Sequence, residues 1–399
     1  MRLTVSELAA SRIREVANAG MGRPDVLPFW FGESDAPTAP LVKQAAIASI
    51  EAGETYYSHN FGLPELRQAV ADYVSRLHRP VGPERIVITS SGVSALMLVQ
   101  QLLVDAGDRV VAVVPVWPNL IAQPTVMGAQ VVQVSLQPDA GGRWRLDLAA
   151  LLAAITPDTK VLVVNSPNNP TGWTLTRAEQ QVLLEHCRRT GTWILADEVY
   201  ERLYFGEADA GGAVGGVGST APVPPAAPSF LDLIEPEDRV VVVHSFSKSF
   251  LMTGWRLGNL IGPADLIVQV GKLIEFNTSC APVFVQRAGL AAVGEAAHSV
   301  PQLQAHLRQC RDMLVQALQG IPRVQVSPPP GAMYAFFRVE GERDSLALAK
   351  RLVAEQGLGL APGIAFGPVG EGWLRWCFAT QHLGRLEEGA ARLRRALAG

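Results

Sequence analysis

Short apolar runs rich in valine and isoleucine recur through the first two thirds of the 399-residue chain and alternate with segments of helical periodicity. Six of these runs predict strands, at residues 85–90, 109–116, 129–136, 160–167, 192–200 and 239–247. The segments at 94–107, 147–155 and 177–191 have the apolar spacing of helices. Continuous apolar strands are buried on both faces, and strands that alternate with helices form mostly parallel sheets. We therefore predict an α/β fold.

The last quarter of the chain has a different pattern, which predicts a second, smaller α+β domain. It is rich in helix signals and contains the short strand candidates VQVSPP, AMYAFFRV and WLRWCFA. We divide the chain into an N-terminal segment that joins the small domain (1–48), a large domain (49–289) and a small C-terminal domain (290–399). Glycine, alanine and proline dominate residues 206–229, which favours a flexible, exposed insertion, either inert or a lid.

The composition argues against several classes of protein. The formal net charge is −3, so no basic surface for nucleic acid is expected. No apolar run reaches the roughly 20 residues that cross a bilayer, and the N-terminus lacks the apolar core of a signal peptide. Four widely spaced cysteines are typical of a reduced, cytoplasmic protein. The histidines lack metal-ligand spacing and no G-x-G-x-x-G follows a strand, so neither a metal nor a nicotinamide cofactor is expected.

Polar and aromatic residues follow the predicted strands, where ligands bind in open α/β sheets. In chain order they are Ser91, Gly92 and Val93, Trp117, Asn169, Asp197 and Tyr200, and then Ser245, Lys248 and Arg256. Each has an ordinary structural explanation taken alone: a helix cap, a core aromatic, a turn or a salt bridge. A carboxylate inside an apolar strand, as at Asp197, must find a cationic partner or lose its charge.

Together these residues specify one ligand. A helix start with serines and an arginine suits an anion, Trp117 suits a flat ring, and Asp197 suits a positive ring nitrogen. Asn169 and Tyr200 can bind a ring oxygen, and the amine of Lys248 can condense with an aldehyde. Pyridoxal 5′-phosphate has all of these parts, so we predict it as the cofactor.

Three motifs in a fixed order carry a resemblance to a known family: SPNNPTG at 166–172, ADEVYERLYF at 196–205 and SFSKSFLMTGWRLG at 245–258. The chain resembles the class I and II aminotransferases, the pyridoxal-phosphate enzymes of fold type I that include aspartate aminotransferase. The resemblance extends from FGESDAPT at 31–38 to WLRWCFA at 373–379. It implies a large domain in which helices sandwich a mostly parallel, seven-stranded sheet.

The resemblance also implies a role for each candidate residue. It implies that Lys248 is the Schiff-base lysine and proton carrier and that Asp197 binds the pyridine nitrogen. Tyr200 and Asn169 would bind the ring oxygen, and Trp117 would stack on the ring. The residues implied around the phosphate are Ser91, Gly92, Val93, Ser245 and Arg256. For the substrate they are Arg375 on the α-carboxylate, with Gly32 and Asn169 beside it. Tyr57 matches a tyrosine that reaches the phosphate of the neighbouring subunit, which implies a homodimer with shared sites.

The implied activity is ping-pong transfer of an amino group from an L-amino acid to a 2-oxo acid. Dicarboxylate-specific relatives carry a second arginine in a WSNPP-like context, whereas residues 277–289 here read NTSCAPVFVQRAG, in which Arg287 has no assigned role. Neutral or aromatic amino acids are therefore favoured. A C–S β-lyase or a cyclising synthase would share every cofactor residue and stays an alternative. A non-catalytic sensor is disfavoured because only 56 residues precede Tyr57.

Overall fold

The computed structural model describes residues 1–206 and 226–398, so residues 207–225 of the predicted insertion lie outside the described part of the chain. The strands are β1 (Leu27–Pro28), β2 (Ile86–Thr89), β3 (Arg109–Val114), β4 (Gln130–Ser135), β5 (Gln137–Pro138), β6 (Trp144–Arg145), β7 (Thr159–Asn165), β8 (Trp193–Asp197), β9 (Val240–Ser245), β10 (Gly258–Ile261), β11 (Val324–Gln325), β12 (Tyr334–Val339), β13 (Leu358–Gly359), β14 (Ala361–Pro362) and β15 (Trp373–Cys377).

Fourteen α-helices lie in the described residues. They are α1 (Leu3–Ser6), α2 (Arg12–Gly20), α3 (Pro40–Glu51), α4 (Pro64–Ser75), α5 (Gly92–Leu103), α6 (Asn119–Met127), α7 (Leu148–Ala154), α8 (Arg177–Thr190), α9 (Phe246–Ser249), α10 (Ala264–Asn277), α11 (Val283–Gly294), α12 (Ala296–Gln319), α13 (Ser345–Gln356) and α14 (Leu383–Leu397). None of the described helices is long and apolar enough to cross a membrane.

The large sheet has seven strands in the order β2-β10-β9-β8-β7-β3-β4. Every neighbouring pair is parallel except the two that involve β10, which runs antiparallel to both β2 and β9. The predicted α/β fold with a mostly parallel, seven-stranded sheet is confirmed. All six strands expected from the apolar runs are present, with ends one to three residues inside most of the predicted ranges.

Both faces of this sheet are buried, which explains the continuous apolar runs. In β7, Val161 and Val163 pack into one apolar cluster, whereas Leu162 and Val164 pack into another on the opposite face. Successive side chains of a strand point to opposite faces, so burial on both sides requires an apolar residue at every position. The helix α8 begins with a capping box, in which Thr176 and Glu179 satisfy each other's backbone amides.

The C-terminal part of the chain forms a second, antiparallel sheet in the order β11-β12-β15-β14. The N-terminal strand β1 pairs in parallel with β13, so that Leu27 lies beside Leu358. A strand of the N-terminal segment therefore lies beside one of the C-terminal part, and the predicted assignment of that segment to the small domain stays a prediction. The domain boundaries at residues 48 and 289 stay predictions.

Candidate active site

A cleft of about 530 Å³ opens beyond the carboxyl ends of β7, β8 and β9. Its lining includes residues from the N-terminal segment, from α5 and from the small sheet, so three parts of the chain meet there. Of the residues predicted for the site, those that line this cleft are Gly32, Gly92, Val93, Trp117, Asn169, Asp197, Tyr200, Ser245, Lys248 and Arg256. The topology therefore brings together residues that are up to 224 positions apart in sequence, Gly32 and Arg256 being the most distant.

Lys248 enters the cleft from α9, the single helical turn that follows β9. Its Nζ donates a hydrogen bond to the backbone carbonyl of Gly32 at 2.5 Å and lies 5.7 Å from the centre of the Tyr200 ring. Burial lowers the pKa of Lys248 to about 8. An amine with a pKa near neutral pH has a substantial neutral, nucleophilic fraction, which condensation with a carbonyl requires.

Asp197 is the last residue of β8 and is only 2% exposed. In the described part of the chain its carboxylate accepts one hydrogen bond, from the backbone amide of Val199 at 3.3 Å, and forms no salt bridge. Burial raises the pKa of Asp197 to about 7. A buried carboxylate at the wall of a cleft, with so few partners, is suited to a ligand that brings a positive charge.

The hydroxyl groups of Tyr200 and Tyr334 lie 2.7 Å apart, and their rings meet edge to face with centroids 5.7 Å apart. Burial raises the pKa of Tyr200 well above its usual value, so the phenol keeps its proton. Tyr334 comes from β12 of the small sheet and also lines the cleft. The pair therefore provides a hydroxyl donor at the contact between the two sheets.

Asn169 is held by one hydrogen bond to its backbone and one to its side chain. Its backbone amide donates to Oδ1 of Asn165 at 2.7 Å, and its own Oδ1 accepts from Arg375 Nη1 at 2.9 Å. Arg375 does not line the cleft; it lies behind Asn169 and Tyr334, with its guanidinium 4.5 Å from the Tyr334 ring centre. It is 2% exposed and also donates to the carbonyl of Trp30. A planar guanidinium held in this way retains a fixed orientation.

The N-terminus of α5 forms the opposite end of the cleft. Ser91 caps this helix, since its Oγ accepts the backbone amide of Ser94 at 3.1 Å. A β-carbon at Gly92 would lie 3.1 Å from Cβ of Ser245, so glycine allows the helix start to approach β9 closely. Arg256 lines the same end, with one guanidinium nitrogen 2.6 Å from the carbonyl of Thr253. Free helix amides and a guanidinium together suit an anion such as phosphate.

The sequence profile of the aminotransferase class I and II family matches residues 24–393. The chain belongs to the class I and II aminotransferases. An aspartate aminotransferase of Pyrococcus horikoshii is 30% identical over 393 residues, which are 98% of this chain and 95% of that protein. An arginine–pyruvate transaminase of Pseudomonas aeruginosa is 31% identical over 364 residues, 91% and 87% of the two chains. The solved structure of an aspartate aminotransferase of Thermotoga maritima superimposes over the full length of both chains, with 29% sequence identity and a TM-score of 0.88.

This aminotransferase is therefore an enzyme that transfers an amino group from an amino acid to a 2-oxo acid. The family uses pyridoxal 5′-phosphate.

Several residues that line the cleft of the aminotransferase were missed in the sequence. They are Arg14, Phe31, Glu33, Leu96, Asn119, Asn165, Val199, Ser247, Thr253 and Tyr334. Asn165 and Ser247 stand next to motif residues, and that proximity is a signal that could have identified them. Arg14 and Tyr334 reach the cleft from helix α2 and strand β12, and nothing in their local sequence indicates that they do.

Tyr57 does not lie in the cleft of its own chain. Its side chain is 87% exposed, in the segment between α3 and α4. Tyr56 beside it is 84% exposed, so two aromatic rings face outward together. The predicted role of Tyr57 depends on a second subunit, and that role stays a prediction.

Proposed function

We propose that this aminotransferase holds pyridoxal 5′-phosphate in the cleft and acts on neutral or aromatic L-amino acids. The main support for this proposal is the environment of the Asp197 carboxylate. It is buried at the cleft wall and has a single hydrogen bond in the described part of the chain. A protonated ring nitrogen would supply the missing charge partner. The Lys248 amine and the anion-binding end at α5 lie in the same cleft, which supports one ligand that spans all three.

Each part of the cofactor has protein groups suited to hold it. Lys248 would bind the aldehyde carbon covalently, Asp197 the ring nitrogen, and Tyr200 with Asn169 the ring oxygen. Trp117 would stack on the ring, and the phosphate would be held by Ser91, Gly92, Val93, Ser245 and Arg256. When bound, the cofactor accepts the amino group and the electron pair released when the substrate Cα–H bond breaks.

The protein's own contribution is to place and move a proton. The Lys248 amine has its pKa lowered by burial, and a base near neutrality can take the proton from the substrate α-carbon and return it. The Gly32 carbonyl, 2.5 Å from Nζ, orients that amine. Tyr200 and Tyr334 keep their protons because burial raises both pKa values, so they act as hydrogen-bond donors rather than as bases.

Arg375 would bind the α-carboxylate of the substrate. Its guanidinium already touches Asn169, which lines the cleft, and it stacks between the rings of Tyr334 and Phe366. Two of its donors are engaged, whereas Nε is buried without a hydrogen-bond partner among the described residues. Clamping the carboxylate fixes which bond of the α-carbon faces Lys248, and orientation of this kind lowers barriers by several kcal/mol.

The cleft wall supports a neutral or aromatic side chain in the substrate. Phe31, Val93 and Trp117 supply apolar surface, whereas Phe29 and Trp30, which precede Phe31 in the sequence, are buried in the core. Arg287 is unavailable for a second carboxylate, since it pairs with Glu54 at 2.8 Å and with Glu65 at 3.3 Å.

We also propose a homodimer in the cytoplasm. Exposed apolar side chains cluster in sequence around Tyr57, namely Leu41, Ile47, Ile50 and Tyr56, and α10 adds Phe276, which is 90% exposed. Large exposed apolar residues of this density are typical of a surface that a second subunit covers. The four cysteines are all free, which suits a reducing compartment.

A product assay tests the proposal. Purified protein with pyridoxal phosphate is incubated with single amino acids, each with and without 2-oxoglutarate or pyruvate as acceptor, and all 2-oxo acids and ammonia are quantified. Transamination gives repeated turnover of the donor to its 2-oxo acid only when an acceptor is present; without one, at most one equivalent per cofactor is released. Pyruvate with ammonia in the absence of an acceptor would instead establish the β-lyase alternative. Lys248→Ala should abolish turnover, whereas Lys272→Ala on the exposed face of α10 should not.

A further inference from the structure

A network of ionisable side chains is buried next to the cleft but does not line it. This buried charge network comprises His78, Glu198, Glu201, Asp232 and His244. Glu198 directly follows Asp197, and His244 directly precedes Ser245. Successive side chains of extended backbone point to opposite faces, so the network faces away from the cleft while its neighbours face into it.

His78 is the cation on which the network is built. Its Nδ1 lies 2.8 Å from a carboxylate oxygen of Asp232, and its Nε2 lies 3.1 Å from one of Glu201. A carboxylate can only accept hydrogen bonds, so an imidazole with a carboxylate at each nitrogen must carry both protons. Burial alone would lower the pKa of His78, but these two hydrogen bonds outweigh it and raise the pKa to about 10.

His244 shares the carboxylate of Glu201 with His78 and also lies near Glu198. Its Nε2 lies 3.4 Å from Glu201 and 3.9 Å from Glu198, and it is buried without a hydrogen bond in the described residues. Besides these two glutamates, the charged groups nearest to His244 are His78 with its partner Asp232 and, beyond Glu201, Arg202, which donates to Tyr73 of α4 at 2.7 Å. The residue opposite His244 on β10 is the uncharged Asn259. Burial opposes protonation of His244, but the two glutamates outweigh it and raise its pKa.

The backbone connects His244 to Asp197. On the paired strands β8 and β9, Asp197 lies in register with Val243, the residue before His244. The backbone amide of Glu198 then donates to the carbonyl of Val243 at 3.1 Å. Glu198 is itself fixed, because one carboxylate oxygen accepts the amide of Phe230 at 3.1 Å and the other accepts the hydroxyl of Ser229. The His244 ring is thus held one register step from the carboxylate that faces the cleft.

We propose that His244 is a positioning residue whose positive charge, held by Glu198 and Glu201, keeps the carboxylate of Asp197 ionised for the ring nitrogen of the cofactor. The inference rests on the proposed cofactor site. Asp197 is a poorly solvated carboxylate whose pKa burial raises, and a nearby cation favours its charged form. Loss of the His244 charge should leave Asp197 protonated up to a higher pH.

Two ligands that cannot bond covalently to Lys248 test this: pyridoxine 5′-phosphate and its analogue with a carbon in place of the ring nitrogen. Their dissociation constants are measured with the cofactor-free protein by tryptophan fluorescence, from pH 6 to pH 9, in wild type and His244→Gln. The variant should bind pyridoxine 5′-phosphate about tenfold more weakly at neutral pH, because a smaller fraction of its Asp197 is ionised. Its pH midpoint should move upward, and the carbon analogue should bind both proteins equally.

A second variant guards against misfolding of the first. Glu201→Gln removes a carboxylate that keeps His244 charged, and it should shift the same midpoint in the same direction. The matched control is His186→Gln. The ring of His186, on α8, hydrogen-bonds the backbone carbonyl of Ile155, and its replacement should leave the pH midpoint unchanged. If the wild type binds neither ligand, the cofactor proposal itself fails.

Two other outcomes would overturn the inference alone. Equal weakening of both ligands by His244→Gln would show a merely structural role, because the carbon analogue makes no ring-nitrogen contact. Glu198, Glu201 and His244 also place donor atoms within 4.8 Å of one another, a geometry open to a metal ion. If Zn²⁺ raised the melting temperature of the wild type and not of His244→Gln, the histidine would be a metal ligand and not the proposed cation.

Discussion

The side-chain nitrogen of Lys248 lies 2.5 Å from the backbone carbonyl of Gly32, although 216 positions separate the two residues. This hydrogen bond draws the N-terminal segment over the cleft. Gly32 can approach so closely because it has no side chain: a β-carbon there would overlap the hydroxyl group of Tyr334. The absence of a side chain at position 32 is therefore a requirement of the site, not an accident of a loose turn.

Replacing Gly32 by alanine should push the N-terminal segment away from Lys248 and Tyr334. We expect kcat/KM to fall by about 100-fold, since a displacement of about 1 Å at a reacting group has effects of this size, while the cofactor still binds. Steady-state kinetics and the absorbance of the bound cofactor measure the two properties separately. Gly384→Ala is the control, since a β-carbon at that position meets no atom within 4 Å. Unchanged kinetics in Gly32→Ala would remove this contact from the account.

Arg375→Lys should weaken amino-acid binding without loss of the cofactor. Lysine keeps the charge but lacks the planar fork that stacks between Tyr334 and Phe366. We expect KM for the amino acid to rise about 10- to 100-fold, the equivalent of about 1.5–3 kcal/mol for charged hydrogen bonds. Arg351→Lys, in the exposed pair with Glu342, provides a comparison and should have no effect. Equal KM values for Arg375→Lys and wild type would exclude Arg375 from carboxylate binding.

Tyr57→Phe tests the shared site of the proposed dimer. If the hydroxyl reaches the phosphate of the neighbouring subunit, its loss should raise the cofactor's dissociation constant about tenfold, as for one hydrogen bond to a charged group. The oligomeric state, measured by analytical ultracentrifugation, should stay the same. Tyr56 is equally exposed, so Tyr56→Phe is a closely matched control. A larger loss of affinity in Tyr56→Phe than in Tyr57→Phe would show that the wrong tyrosine has been assigned.

The protonated His78 should make the protein less stable at alkaline pH. Its folded-state pKa of about 10 lies above the ordinary value of 6.5, so its contribution is complete below about pH 6.5 and is lost as the pH rises toward 10. Urea unfolding of the cofactor-free protein at pH 6.5, 8 and 10 should reveal that loss. In His78→Gln the free energy of unfolding at pH 7 should fall by on the order of 3–5 kcal/mol, and its alkaline decline should be smaller.

The exposed His298→Gln is the comparison for this experiment, because the His298 ring hydrogen-bonds Gln302 at the surface of α12 and has no ion pair among the described residues. It should unfold with the stability and the pH dependence of the wild type. Identical alkaline profiles for His78→Gln and wild type would mean that His78 is neutral in the folded protein, contrary to its two carboxylate contacts.

Apolar patterning was sufficient to predict the parallel part of the large sheet. The central parallel strands β3, β7, β8 and β9 are apolar runs buried on both faces, and this is visible in the sequence. The edge strand β4 is only partly buried, but its valines still mark it. The strand β10 was missed because its four residues, Gly258–Ile261, form a run too short to distinguish from a loop. Its antiparallel course beside β9 depends on tertiary packing against α5, which local periodicity does not encode.

The site residues were grouped in the sequence because one predicted ligand would use all of them, and ten of the residues so predicted line a single cleft. Contacts made across the two sheets were not predictable. Tyr334 meets Tyr200 only after 134 positions of chain have folded, and its own neighbours in sequence suggest only a buried strand. The buried charge network could not be predicted for the same reason. His78 and His244 are far apart in sequence, yet both lie beside the carboxylate of Glu201.

We propose that Lys248 holds the cofactor in this cleft and that the cofactor then carries the amino group. The most direct test is the absorbance spectrum of the purified protein with pyridoxal phosphate, recorded before and after single amino acids are added without an acceptor. We predict a visible band, absent in Lys248→Ala, that one neutral or aromatic amino acid bleaches to the pyridoxamine form while its 2-oxo acid is released in equal amount. A band that persists with every amino acid would show that the cofactor does not take up the amino group. A band that forms equally in Lys248→Ala would show that Lys248 does not hold the cofactor.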